Sequence, residues 1–166
     1  HIECTTSKDK GTTFEIFLPT SREQVLEEKK VHASTSKILN ILVADDELLI
    51  RKLVTQFLEV EGHNVVAVPS GKQALNKVKE DGFDLVITDW AMPEMNGAEL
   101  IQSIRNENAD ISIILMTGFA ASPHFNFDSS DLEVDAVIGK PITQHSLLNA
   151  VYQTIEKESA DNVEQC

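Results

Sequence analysis

Cysteine is nearly absent: the chain has two, Cys4 and Cys166, at opposite ends. That separation offers neither a metal-ligand spacing nor a disulfide framework, and it fits a reducing, cytoplasmic setting. Long apolar runs are missing as well. No stretch approaches the roughly 18 residues needed to cross a membrane, and the N-terminus lacks the pattern of a signal peptide. No membrane contact is therefore expected from this segment. Basic residues are scarce, 14 Lys and Arg against 27 Asp and Glu, for a formal charge of −13. Phosphate backbones demand cations, so this balance argues against nucleic acid as a direct partner. An initiator methionine is also lacking: the sequence begins at His1, and a piece of a longer polypeptide is expected. What is present, 166 residues with 42% apolar and 25% charged content, suits one globular domain with a real core and a tail.

From Lys37 onward, β-branched runs alternate with amphipathic stretches. Ile38 to Ala44 reads as a strand, nearly continuous in apolar residues as in a parallel sheet covered on both faces. After Asp45-Asp46-Glu47, the spacing of Ile50, Leu53, Val54, Phe57 and Leu58 predicts a helix with one apolar stripe, stopped by Gly62. Val65 to Val68 comes next as a strand. Ser70 is a candidate N-cap for a helix burying Ala74, Leu75 and Val78, which Asp81-Gly82 ends. Then come a strand at Leu85 to Ile87, a helix with Leu100, Ile101 and Ile104, and a strand at Ile111 to Met116. A last strand at Ala136 to Ile138 leads to a helix carrying Leu147, Leu148, Val151 and Ile155. The unit between Thr117 and Asp135 is poor in helix formers, so a short or irregular helix starting no earlier than Ser122 is expected there.

Five strands alternating with helices indicate an open, doubly wound α/β sheet. The functional crevice of such sheets lies at the carboxyl ends of the strands. This rule gathers Asp45 and Asp46 after strand one, Asp89 after strand three, Thr117 after strand four and Lys140 after strand five. The first 36 residues are different. Phe14 to Leu18 reads as a strand ended by Pro19, with His1 to Cys4 as its hairpin partner and Ser7 to Gly11 as the turn. Two strands alone are marginal in water, so the hairpin needs something to pack on. Residues 20–36 read as a linker, with a helical turn or two around Glu23 to Lys30.

An aspartate can attack phosphorus and form an acyl phosphate. Nucleophile and phosphoryl group are both anionic, so the reaction needs cations and donors around the developing charge. Mg²⁺ prefers hard oxygen ligands, and Asp45, Asp46 and Asp89 supply carboxylates. Lys140 offers a point charge and Thr117 a hydroxyl donor to phosphate oxygens. Taken singly, each has a plainer explanation. An Asp pair before a helix is often a cap, Thr117-Gly118 a turn, and a Lys before Pro a solvated side chain. Their occurrence at successive strand ends, in this order, is what singles them out.

The segments Val43 to Glu47, Thr88 to Gly97 (Thr-Asp-Trp-Ala-Met-Pro-Glu-Met-Asn-Gly), Met116-Thr117-Gly118 and Gly139-Lys140-Pro141 together resemble a two-component response-regulator receiver domain. The resemblance implies a flavodoxin-like sheet of strand order 2-1-3-4-5 over 37–157, with 158–166 as a tail. It implies that Asp89 is the phosphoacceptor, taking a phosphoryl group from a phosphohistidine. Asp46, Asp89 and the Ala91 carbonyl would bind Mg²⁺, with Asp45 acting through water, and Thr117 and Lys140 would contact the phosphoryl oxygens. A cis peptide is expected before Pro141. Phosphorylation would draw Thr117 inward and reshape the face of the fourth helix, fifth strand and fifth helix. The sequence departs from the family pattern at Val137, where an aromatic switch residue is usual. Ala91 and Phe119, at positions that govern access of hydrolytic water, imply slow self-dephosphorylation.

Residues Gly11 to Pro19 resemble the end of a histidine-kinase ATP-binding domain, which makes 1–19 a remnant of such a domain and the parent a hybrid sensor kinase. The expected partners are a histidine-kinase phosphohistidine domain or a histidine phosphotransfer protein. No kinase activity is expected of this chain alone, since it has no ATP-lid glycine set and no phosphoacceptor-histidine helix. His32, His63, His124 and His145 are read as linker, strand-opening or surface residues. Two alternatives stand beside this reading. One is a Mg²⁺-dependent phosphatase of the haloacid-dehalogenase type, whose Asp-x-Asp pattern is broken here by Ala91. The other is a degenerate receiver serving only as an interaction module.

Overall fold

The computed structural model describes residues 1–8, 11–17, 37–80, 82–107, 111–118 and 132–161, with side chains up to Glu156. The expected linker, the irregular helix after Thr117, Phe119, His32, His124 and Cys166 lie outside the described residues. The chain divides into two compact units, 1–32 and 33–166. Among the described residues, no helix is long and apolar enough to cross a membrane.

In the first unit, β1 (Ile2–Ser7) pairs antiparallel with β2 (Gly11–Ile16). The strands are shifted from the sequence expectation: β1 runs three residues past Cys4, and β2 starts at Gly11 and ends before Phe17. The register opposes Ile2 to Ile16 and Cys4 to Phe14, while Glu3 faces Glu15 and Thr5 faces Thr13. Cross-strand partners share a face, so one side of the ribbon carries Ile2, Cys4, Phe14 and Ile16 with the Thr6–Thr12 pair at the turn end, and the other side is polar. Ile2, Phe14 and Ile16 are all exposed within this chain.

The second unit is a five-stranded, wholly parallel sheet. Its elements are β3 (Asn40–Ala44), α1 (Leu48–Val60), β4 (Asn64–Val68), α2 (Gly71–Glu80), β5 (Leu85–Asp89), α3 (Gly97–Glu107), β6 (Ser112–Thr117), β7 (Ala136–Gly139) and α4 (Gln144–Asp161). The order across the sheet is β4-β3-β5-β6-β7. Counted from the first strand of this unit, that is 2-1-3-4-5, the flavodoxin-like arrangement. The first strand is shorter than expected, because Ile38 lies before the ladder and is exposed. The last helix runs to Asp161, past position 157.

The strand pattern explains the double winding. Ile41, Val43, Leu85, Ile87, Ile114 and Met116 enter one core with Val54 and Leu58 of α1 and Leu147 and Val151 of α4. The alternate residues Leu42, Ala44, Val86, Ile113 and Leu115 enter a second core with Ala74 of α2 and Leu100, Ile101 and Ile104 of α3. Strands apolar on both faces can exist only between two helical layers. The edge strands are the exceptions: β4 buries only Val68 and β7 only Ile138. Helix ends obey local chemistry. Gly62, at φ +90, ends the turn after α1. The Ser70 hydroxyl accepts from the Gln73 N–H at 3.4 Å, and Asn96 and Glu99 exchange reciprocal hydrogen bonds at 2.9 Å to start α3.

His63, read from sequence merely as opening a strand, is buried at the amino end of the sheet. Its Nδ1 accepts from the Leu39 N–H at 3.4 Å, while Nε2 is buried without a partner. Burial holds the ring below its ordinary pKa, against a smaller upward pull from Glu61. The folded state therefore takes up this proton less readily than the unfolded chain. Stability is full above the ordinary imidazole value of about 6.5 and declines as the pH falls below it. Thermal unfolding between pH 7.5 and 5.5 should show this decline in the wild type and a flatter profile in His63→Gln. Parallel profiles for the two proteins would contradict the assignment.

Candidate functional site

Parallel strands in register bring their carboxyl ends side by side, and the site is built from the residues at and just past those ends. Ala44 of β3 pairs with Thr88 of β5, Asp89 of β5 with Met116 of β6, and Thr117 of β6 with Gly139 of β7. Asp45 thus starts the loop beyond β3, Asp89 and Thr117 end their strands, and Lys140 comes directly after β7. The Lys140 main-chain N–H donates to the Thr117 carbonyl at 2.8 Å, which ties those two residues together.

The Lys140 ammonium bridges two acids, 3.0 Å from Asp45 Oδ2 and 2.8 Å from Asp89 Oδ1. Asp45 has no solvent exposure and Asp89 only 5%, whereas Asp46 is exposed. Carboxylate oxygens of Asp45, Asp46 and Asp89 lie within 4.8 Å of one another. Burial lowers the proton affinity of Lys140, but the hydrogen bonds to Asp89 and Asp45 and the negative charges of both together outweigh it and raise the pKa. The ammonium is charged. Burial pushes the Asp45 carboxyl up, against the pull of Lys140 and of the Glu47 N–H. Three carboxylates around one ammonium leave an excess of negative charge in a partly dehydrated pocket. A small, hard cation with oxygen ligands is the chemistry that relieves it, so the residues present fit Mg²⁺.

Asp45 is held at every polar atom. Its N–H donates to the Val68 carbonyl at 3.3 Å, and its Oδ1 accepts the Glu47 N–H at 2.8 Å. Its own carbonyl accepts from Arg51 Nη1 at 2.6 Å. The plainer reading of the Asp pair as a helix cap does not hold: Glu47 is the N-cap of α1 with no side-chain cap, and Asp45 instead forms an Asx turn to the Glu47 N–H while also facing Lys140. Sequence reading missed Arg51. A cation in the first turn of a helix opposes the helix dipole, and that anomaly was the available signal.

The loop after Asp89 is folded back tightly. Trp90 N–H donates to the Met116 carbonyl and Gly97 N–H to the Trp90 carbonyl, both at 2.9 Å. A Cβ at Gly97 would collide with the Asp89 carbonyl oxygen, so only glycine fits there. Ala91 is exposed in this loop, and Glu94 takes φ +65. Thr117 is fully buried, and Val137 on β7 is 37% exposed. The Lys140–Pro141 peptide is cis.

Comparison with known proteins agrees with this architecture. Residues 41–152 match the model of the response regulator receiver domain. The chain belongs to that family. It is 33% identical over 172 residues to the sensor kinase CckA of Brucella abortus, a match that covers 95% of this chain but only 18% of the kinase. It is 34% identical over 111 residues to the response regulator receiver protein CpdR of the same organism, covering 67% of this chain and 92% of CpdR. The structure of the response regulator TrrA of Thermotoga maritima, in complex with Mg²⁺ and BeF, superposes with a TM-score of 0.63 at 34% identity, covering 69% of this chain and 97% of that one.

Gly97→Ala tests the link between loop and site. Overpacking against the Asp89 carbonyl should cost about 1–3 kcal/mol. It should also shift the Asp89 and Trp90 amide resonances, a readout that a remote destabilisation would leave in place.

Proposed function

We propose that this domain accepts a phosphoryl group from a phosphohistidine onto Asp89, with Mg²⁺, and that this modification switches a protein-interaction surface. The observation that carries the reading is the Lys140 ammonium shared between Asp45 and Asp89, with Asp46 beside them. Asp89 Oδ attacks phosphorus, the P–N bond breaks with its electron pair returning to the donor imidazole, and a P–O bond forms. Lys140, already 2.8 Å from Asp89 Oδ1, tracks the charge onto a phosphoryl oxygen, and the Thr117 hydroxyl donates to another. Asp46, Asp89 and the Ala91 carbonyl would hold Mg²⁺, with Asp45 acting through water, and the ion supplies charge neutralisation for the transferred group. The complex of TrrA with Mg²⁺ and BeF supports this assignment.

The parent is proposed to be a hybrid sensor kinase. Residues 1–19 would be the end of its ATP-binding domain, 20–36 a linker, 37–157 the receiver and 158–166 a tail. Support comes from the match to CckA, which extends over 95% of the chain and so beyond the receiver, and from a hairpin whose apolar face is exposed in this chain. The partner is then a kinase phosphohistidine domain, a histidine phosphotransfer protein, or both. The output face would include β7 and α4, with exposed Val137 in place of an aromatic.

Incubation with acetyl phosphate and Mg²⁺ should add one phosphoryl group per chain, and Asp89→Asn should abolish it. Label on the Asn variant would overturn the acceptor assignment, continuous turnover would indicate a phosphatase, and no label on the wild type would indicate an interaction module. Ala91 carries no group to orient an attacking water, so the aspartyl phosphate should decay slowly. Ala91→Asn should shorten its half-life severalfold; rapid decay unaffected by the substitution would contradict the expectation.

A further inference from the structure

Arg51 is the fourth residue of α1 and half-buried. Its guanidinium donates to the main-chain carbonyl of Asp45 at 2.6 Å. That carbonyl lies between the end of β3 at Ala44 and the start of α1 at Leu48, outside both backbone ladders. The first turn of α1 contains no acid, and a cation there opposes the helix dipole. The helix itself does not account for Arg51; its neighbours do.

The four polar contacts of Asp45 divide by what they fix. The Val68 carbonyl holds its N–H, and Glu47 N–H and Lys140 hold its carboxylate oxygens. Only the Arg51 contact acts on the peptide that joins Asp45 to Asp46. We infer that Arg51 is a positioning residue: by pinning the Asp45 carbonyl it sets the plane of the Asp45–Asp46 peptide, and with it the direction in which the exposed Asp46 carboxylate meets a cation. The inference rests on the reading of this pocket as a Mg²⁺ site. Groups that orient first-contact ligands are part of a metal site's affinity, and a guanidinium suits the task because its planar fork is preorganised. Arg51 also brings a positive charge to the main chain of Asp45, and the two contributions separate by their salt dependence. A through-space effect is screened at high ionic strength, whereas a fixed peptide plane is not.

The test uses Arg51→Met in the full chain. Mg²⁺ titrations are monitored by the fluorescence of Trp90, the sole tryptophan and the neighbour of Asp89. The substitution should weaken Mg²⁺ binding roughly tenfold, the lower end for outer contacts to metal ligands, and the loss should persist at about 1 M salt, where the Debye length is about 3 Å. Without metal, the Asp46 amide resonance should move. An effect that vanishes at high salt assigns Arg51 to charge alone and overturns the inference. So does a lowered melting temperature with Mg²⁺ affinity and the Asp46 amide unchanged, which would mark a structural role. If the wild type fails to respond to Mg²⁺, the reading of the pocket fails instead, and the metal-free Asp46 shift still decides whether Arg51 positions that peptide.

Discussion

The Lys140 ammonium between Asp45 and Asp89 is the interaction on which the site depends. Each partner comes from a different strand end, at β3, β5 and β7, and none is near another in sequence. A buried carboxylate without a cation is costly, and a single ammonium cannot neutralise three acids. The pocket is therefore stable enough to form and still electrostatically unsatisfied. That residual demand is what a phosphoacceptor needs, because a cation drawn in by it also stabilises an incoming phosphoryl group.

Holding that arrangement falls to features with no chemistry of their own. Gly97 lets the returning loop rest on the Asp89 carbonyl, where any side chain would push that backbone away. The Lys140 N–H to Thr117 carbonyl bond ties two strand ends together, and the Glu47 N–H and Arg51 fix Asp45 from the α1 side. Asp45 in particular is gripped through its backbone as well as its side chain.

The hairpin poses a separate physical question. Its register sorts Ile2, Cys4, Phe14 and Ile16 onto one face and Glu3, Thr5, Thr13 and Glu15 onto the other. Two strands with an exposed apolar face are marginal alone. The alignment to the sensor kinase CckA covers 95% of the chain and so extends past the receiver into this ribbon.

Much was legible in the sequence. Nearly continuous apolar runs interleaved with period-3.6 stripes indicated a doubly wound parallel sheet, and the strand-end rule then gathered Asp45, Asp46, Asp89, Thr117 and Lys140 on one rim. These are local signals: residue type, spacing and order along the chain suffice to read them. Other features were set only by the tertiary fold. Ile38 looked like strand but lies outside the ladder; His63 was read only as opening a strand but is buried; Arg51 was passed over but holds the Asp45 carbonyl. Each depends on a neighbour 6 to 24 positions away or on where a ladder ends, as with the 24-residue separation of Leu39 and His63. The strand-end acids could thus be named from the chain alone. That one ammonium bridges two of them, while a third lies beside it and an arginine grips the peptide between, was decided by packing, because only the closed sheet brings those groups within hydrogen-bonding distance.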